Sequence, residues 1–405
     1  MPKSETYKWE FKPRFRCHAF GWKSDLAITR IKEAVAEIKT VAKREPAIAS
    51  EGAIAFLERV SPALEHVDSS SGAIGSAVNH AIAQLVPLIA GAPADHATRD
   101  AWLERLWDAY QADRVPYIES VGDHWGELCA SKEIASAWAD RLIETVKMAW
   151  SPDPNLRGYF KGTSNCLSAL TVAERYDDVL ALLQSAPSNM WHYRQYGVKG
   201  LLAQGKKADA IRYAEQRDIN DSPVAIARVC EEVLLSSGLA DEAYRRYGLV
   251  ANQGGTYLAT FRAVCKKYPH KLPGDILADL VETTPGNEGK WFAAAKNAQL
   301  YDKAIALATR TPCDPKTLTR AARDHAEKEP SFAIEAGLLA LRWLVEGYGF
   351  DITGVDVWAA YGATIKAAEQ KGRVAEVKER IRAIVVSESG RERFVTKVLG
   401  RTLGL

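Results

Sequence analysis

The sequence predicts an all-α fold, a right-handed α-solenoid of stacked antiparallel helix pairs with a period of about 32 residues. Three observations predict it. First, residues 174–183, 205–214, 238–247 and 299–308 each read as the second helix of a hairpin, and aligning them puts Val179, Ala210, Ala243 and Ala304 in one column. A weaker copy, GDILADL, adds Ile276 to that column. Second, an apolar segment lies upstream of each helix, with its leading bulky residue at Tyr159, Trp191, Val224, Tyr257 and Trp291, so two independent columns keep one spacing. Third, no stretch sustains the β-branched alternation with hairpin turns that strands need. Such a repeat marks stacked units, none of which buries its apolar face alone.

Gly205 and Gly238 each stand five residues before the small column residue, where a tight interhelical turn needs a residue free of Cβ restriction. The pattern Gly205/Ala210/Ala214 and Gly238/Ala243/Tyr247 resembles the second helix of tetratricopeptide repeats over roughly residues 157–310. The family's W-x-x-L-G first-helix signature is absent, and a HEAT-like description of the helix pairs fits nearly as well. Either resemblance implies an interaction scaffold rather than an enzyme.

Taken in order, residues 1–24 form an arm that alternates aromatic with basic residues, among them Lys8, Trp9, Lys12, Arg14 and Arg16. Such a stretch either grips nucleic acid by phosphate pairing and base stacking or packs its aromatics onto the first helices with the cations in water. Residues 25–150 form an N-terminal helical region, degenerate repeats or a cap. Ser24 and Asp25 supply an N-cap for a helix over 26–43, where Ile28, Ile31, Val35 and Ile38 recur at helical spacing. A second helix spans 50–66. A third starts in the Ser- and Gly-rich residues 68–75; free amides there can hold a phosphate, and capping alone accounts for the same residues. Three more helices follow between Thr98 and Trp150. Residues 151–155, SPDPN, are the clearest punctuation, so 151–310 is taken as the repeat domain and 311–405 as further C-terminal helical repeats and a cap. There Asp314-Pro315 reads as an N-cap and first helical residue.

Length and composition narrow the class. At 405 residues with 47% hydrophobic residues the chain can build an extended core, and a net charge of +2 makes it no general polyanion binder. Six cysteines show no ligand spacing and read as buried free thiols. The N-terminus lacks an apolar signal segment and no apolar run approaches membrane length, so a cytoplasmic protein with no membrane contact is expected.

No P-loop, dinucleotide fingerprint, H-E-x-x-H or G-x-S-x-G occurs, so no catalytic residue, cofactor or metal is expected. Cys17-His18 lacks two further ligands at finger spacing. His124 lies between Asp123 and Glu127, near no nucleophile in the sequence, and reads as a helix-cap histidine. Trp102, Trp107 and Asp108 match by residue type the site of helical-repeat DNA glycosylases, a third-ranked enzyme reading.

Charge follows the repeat. The five first-helix segments hold 10 Lys or Arg against three acids, whereas the second-helix segments hold 9 against 11. In tetratricopeptide-like stacks the first helices line the concave face. The expected groove is therefore basic and aromatic: Arg157, Tyr159, Lys161, Trp191, Tyr193, Arg194, Lys199, Arg228, Arg262, Lys266, Lys290 and Lys296. A groove of one sign draws an extended partner of the other. The leading expectation is a non-enzymatic scaffold binding an acidic protein segment. A nucleic-acid-binding helical-repeat protein, using groove and arm together, is the alternative.

Overall fold

All regular structure among the described residues of the computed structural model, 7–216, 221–389 and 393–405, is helical. The chain divides into two units, Met1–Ser222 and Pro223–Leu405. That division falls inside the repeat stretch, and residues 151–155 lie within the first unit.

The first unit contains α1 (Ser24–Ala42), α2 (Pro46–Leu64), α3 (Ala73–Gly91), α4 (His96–Ala112), α5 (Trp125–Cys129), α6 (Lys132–Ala149), α7 (Thr163–Val172), α8 (Tyr176–Gln184), α9 (Trp191–Ala203) and α10 (Lys207–Ala214). Local signals set their ends. Pro46 opens α2 because its missing N–H is an orphan in the first turn anyway. Asp95 caps α4 by accepting from the Thr98 N–H at 2.8 Å. Helix α1 packs on α2 and α3, α5 on α6 and α7, and α7 on α8 and α9.

One expectation is corrected here, and for the arm the structure favours one of the two alternatives. Helix α3 is long and apolar enough by composition to cross a membrane. Its Ile74, Val78, Ile82, Leu85 and Ile89 are buried and give it one packed face. Most of the arm's aromatic residues face inward, whereas Tyr7 and Trp22 are exposed. Trp9, Phe11, Phe15 and Phe20 are buried, and Phe11 and Phe15 meet the Phe56 ring edge-on at 5.9 and 5.2 Å. Trp9 is thus unavailable for base stacking. Glu37 holds the arm down by accepting from the Glu10 and Phe11 N–H groups at 2.8 and 3.2 Å.

The second unit contains α11 (Pro223–Leu235), α12 (Ala240–Ala243), α13 (Leu249–Ala251), α14 (Tyr257–Lys267), α15 (Pro273–Glu282), α16 (Phe292–Asn297), α17 (Tyr301–Arg310), α18 (Pro315–His325), α19 (Pro330–Val345), α20 (Gly354–Gln370), α21 (Val374–Val386) and α22 (Phe394–Leu403). A π turn, Tyr244–Gly248, joins α12 to α13. Asp314 caps α18 as expected, accepting from the Thr317 N–H at 2.9 Å.

One turn recurs in both units. Glu174, Gly205, Gly238, Gln299 and Gly372 all have positive φ, between 58° and 76°. The N–H that follows each donates to the carbonyl five residues back: Arg175 to Leu170, Lys206 to Leu201, Leu239 to Leu234, Leu300 to Ala295 and Arg373 to Ala368. Five residues beyond each left-handed residue stands a fully buried one: Val179, Ala210, Ala243, Ala304 and Val377. The buried column is therefore set by the turn geometry, and it includes a copy at Gly372 beyond the sequence pattern.

Glycine adopts this conformation without penalty, whereas other residues pay roughly 1–2 kcal/mol. Gln299→Gly should therefore raise stability to urea by about 0.5 kcal/mol after the added unfolded-state entropy, while Gly205→Ala should lower it by about 1 kcal/mol. At Gly52 a Cβ would stand 2.2 Å from the Trp9 ring. Gly52→Ala should cost about 1–3 kcal/mol in the same measurement, the range for overpacking.

Candidate binding face

In the first unit, α9 carries Trp191, His192, Tyr193, Arg194 and Lys199. Arg194 does not line a groove. Its side chain is only 1% exposed, and Nη2 donates to Asp221 Oδ2 at 2.7 Å, a carboxylate 3% exposed. The same guanidinium donates to the Asn189 carbonyl and, at 3.2 Å, to the Ala214 carbonyl, while the Trp191 N–H donates to Asp221 Oδ1 at 2.6 Å. The pair ties the start of α9 to the end of α10, so this cation is consumed by the fold.

The neighbouring cations are more open. Tyr159 precedes α7 rather than lying on it and is 77% exposed. Arg157 is exposed, with Nε on the Ser151 carbonyl at 3.1 Å, and half-buried Lys161 donates to the Asp113 carbonyl at 2.6 Å. Tyr193 is half-buried and packs edge-on against Trp150 at 5.4 Å. Lys199 stands 4.9 Å above the buried Tyr196 ring, and desolvation lowers its pKa.

A polar cluster that the sequence pattern missed lies beside these residues. The Tyr196 hydroxyl donates to Asp123 Oδ1 at 3.1 Å, Ser164 Oγ lies 2.9 Å from His192 Nε2, and Asp123 Oδ1 lies 3.6 Å from that same nitrogen. A Ser-His-Asp relay needs the carboxylate on the opposite ring nitrogen, where it fixes the tautomer that accepts the serine proton. Here serine and acid converge on one nitrogen, an arrangement that positions rather than activates. The residue of the DHWGE stretch that joins the cluster is Asp123; His124 is turned to Glu127 at 3.2 Å.

In the second unit the cations remain outward. Arg228, Arg262, Lys266 and Lys290 are exposed, and Lys296 is half-buried. Arg228 Nε donates to the Ala251 carbonyl at 2.9 Å, and Arg262 Nε to Asn297 Oδ1 at 3.0 Å, which links α14 to α16. Tyr257, at the start of α14, meets Trp291 edge-on at 4.7 Å, and Lys290 Nζ lies 5.8 Å from the Tyr257 ring. Both rings line a cavity of about 280 Å³ with Leu249, Gly254, Thr256 and Leu280. Exposed Lys290 thus stands beside an aromatic-walled recess.

The remaining residues singled out in the sequence fall elsewhere. Trp102 is buried and its Nε1 donates to Glu51 Oε1 at 2.5 Å, Trp107 packs among Tyr110, Trp125, Trp138 and Phe160, and Asp108 is exposed. Lys8 and Arg16 are exposed, Lys12 is half-buried, and Arg14 pairs with Glu33 at 2.9 Å. Ahead of α3, Asp68 accepts from the Ser70 N–H at 2.9 Å in an Asx-type turn, and Gly72, the N-cap, takes a left-handed conformation with no side-chain cap. Cys129, Cys166, Cys230 and Cys313 are buried, but Cys17 is exposed and Cys265 half-buried. Burial pushes the Cys129, Cys166 and Cys313 thiols up to about 12.

Arg194→Ala would strand the Asp221 carboxylate in a buried site. It should lower stability by about 3 kcal/mol, the cost of breaking a buried ion pair, read as a drop in the urea midpoint. Arg262→Ala, at an exposed position, should leave the midpoint nearly unchanged. No protein-family model, curated protein or solved structure matches this chain.

Proposed function

We propose that the chain is a non-enzymatic helical-repeat scaffold, an α-solenoid of stacked hairpins, that holds an extended acidic protein segment. The observation that carries this reading is the face of the second unit, where exposed Lys290 stands 5.8 Å from the Tyr257 ring of the recess walled by Tyr257 and Trp291, and where α14, which Tyr257 opens, also carries exposed Arg262 and Lys266. Carboxylates of the partner pair with the cations, and an apolar or aromatic partner side chain enters the recess, a division between steering and anchoring that suits protein partners. Lys266 and Lys290 have no acidic partner within ion-pair distance among the described residues. Their charge is therefore directed outward. The recurring left-handed turn with its buried small residue supports the helical-repeat part of the proposal.

Fluorescence anisotropy tests it with a labelled Glu/Asp-rich peptide carrying one tryptophan, and with single- and double-stranded oligonucleotides, at about 50 and 200 mM salt. Expected is peptide binding that falls modestly with salt and weakens at least tenfold, about 1.4 kcal/mol, on Arg262→Glu with Lys266→Glu. Tighter binding of oligonucleotides with a steep log-linear salt loss would replace the protein segment with nucleic acid. Failure of every probe at the lower salt would remove the proposal.

A further inference from the structure

We propose that Cys17, His18 and Glu65 form a zinc-binding site that clips the N-terminal arm to the end of α2. One ligand atom from each of the three lies within 4.8 Å of the others, and all three residues are exposed. His18 Nδ1 stands 3.4 Å from Glu65 Oε2. With zinc–nitrogen and zinc–oxygen bonds of about 2.1 Å at tetrahedral angles, two such ligands sit about 3.4 Å apart. The histidine and the carboxylate are therefore already at the edge length of a zinc tetrahedron. The thiol has at most about 1.2 Å to close to reach its own edge length, given a zinc–sulfur bond near 2.3 Å, and an exposed cysteine can do so by side-chain rotation.

The backbone holds this geometry from both sides. The His18 N–H donates to the Pro62 carbonyl at 3.0 Å, and the Asp68 N–H donates to the Trp22 carbonyl at 2.9 Å. Between these two bonds the arm runs alongside the last turn of α2. His18 itself has φ 55°, a left-handed conformation that non-glycine residues adopt at a cost. That strain places its ring beside Glu65, and the His66 ring stacks on its face, centroids 4.4 Å apart and 20° between planes. The stack fixes the plane in which the His18 nitrogen lone pairs lie.

The donor set selects the metal. A thiolate and an imidazole disfavour calcium and magnesium, which take oxygen ligands, whereas sulfur, nitrogen and one carboxylate suit zinc. The three exposed protein ligands leave the fourth position for water. Glu65 is remote in sequence from Cys17 and His18, so no finger-type spacing announces the site. The site is independent of the binding face on the second unit.

The test uses the intact 405-residue chain stripped by chelator and titrated with Co(II). Expected is a thiolate-to-cobalt charge-transfer band that saturates at one equivalent and is displaced by zinc. Cys17→Ser should abolish the band, and Glu65→Gln should weaken cobalt binding at least about tenfold, the loss that even an outer-shell change brings. Zinc should also protect Cys17 from maleimide, with the labelled residue identified by peptide mapping. Unchanged melting of the metal-free variants shows that they fold, as exposed positions allow. Absence of the band, a band that survives Cys17→Ser, unchanged affinity in Glu65→Gln, or alkylation of Cys17 indifferent to zinc would each overturn the proposal.

Discussion

A helix leaves its last four carbonyls without an intrahelical donor, and in a chain of short helices that debt dominates the backbone. Helix α10 has only 8 residues. Two devices settle it. The left-handed turn at Glu174, Gly205, Gly238, Gln299 and Gly372 returns an N–H to a carbonyl of the helix just ended. Elsewhere a side chain from another segment reaches the helix end. Arg99 donates to the Ile89 and Ala92 carbonyls at 2.6 and 2.9 Å at the close of α3, Arg194 serves Ala214, Arg228 serves Ala251, and Trp343 Nε1 serves Ala308 at 2.9 Å.

This explains how a count of charges misleads. First helices are rich in arginine partly because some of those guanidiniums cap neighbouring helices, a role favoured by their planar, many-donor shape and by the negative end of the helix dipole. Arg194 and Lys266 look alike in a pattern of basic positions. The first is sealed against Asp221 and the second faces water. Burial separates them, and burial depends on which residue the chain returns to that spot, here Asp221 from the connection after α10.

The all-α class was legible because apolar residues recur at helical spacing along the chain and no stretch sustains a strand pattern. The turn that causes the spacing was half legible. Gly205 and Gly238 announce it, while Glu174 and Gln299 adopt the same left-handed backbone without the residue type that signals it. The arm's alternation of aromatic and basic residues was visible too, but alternation alone does not say which side is inward; Phe56 and Gly52 on α2 decide that by offering the surface. Clusters assembled from distant segments left no trace. Asp123, Ser164 and His192 come from three elements, and the local DHWGE sequence points at the wrong histidine.

The recurring turn also bears on how the chain acquires its structure. Each of these hairpins closes on a hydrogen bond spanning five residues, and its buried residue lies five positions further on, so the first stabilising contacts require almost no loop closure. Chains whose contacts are local fold fast and begin at more than one place. A hairpin weakened by a left-handed glutamate or glutamine would then form later than its glycine-closed neighbours, making Gly205, Gly238 and Gly372 the natural starting points of order within their own stretches of chain.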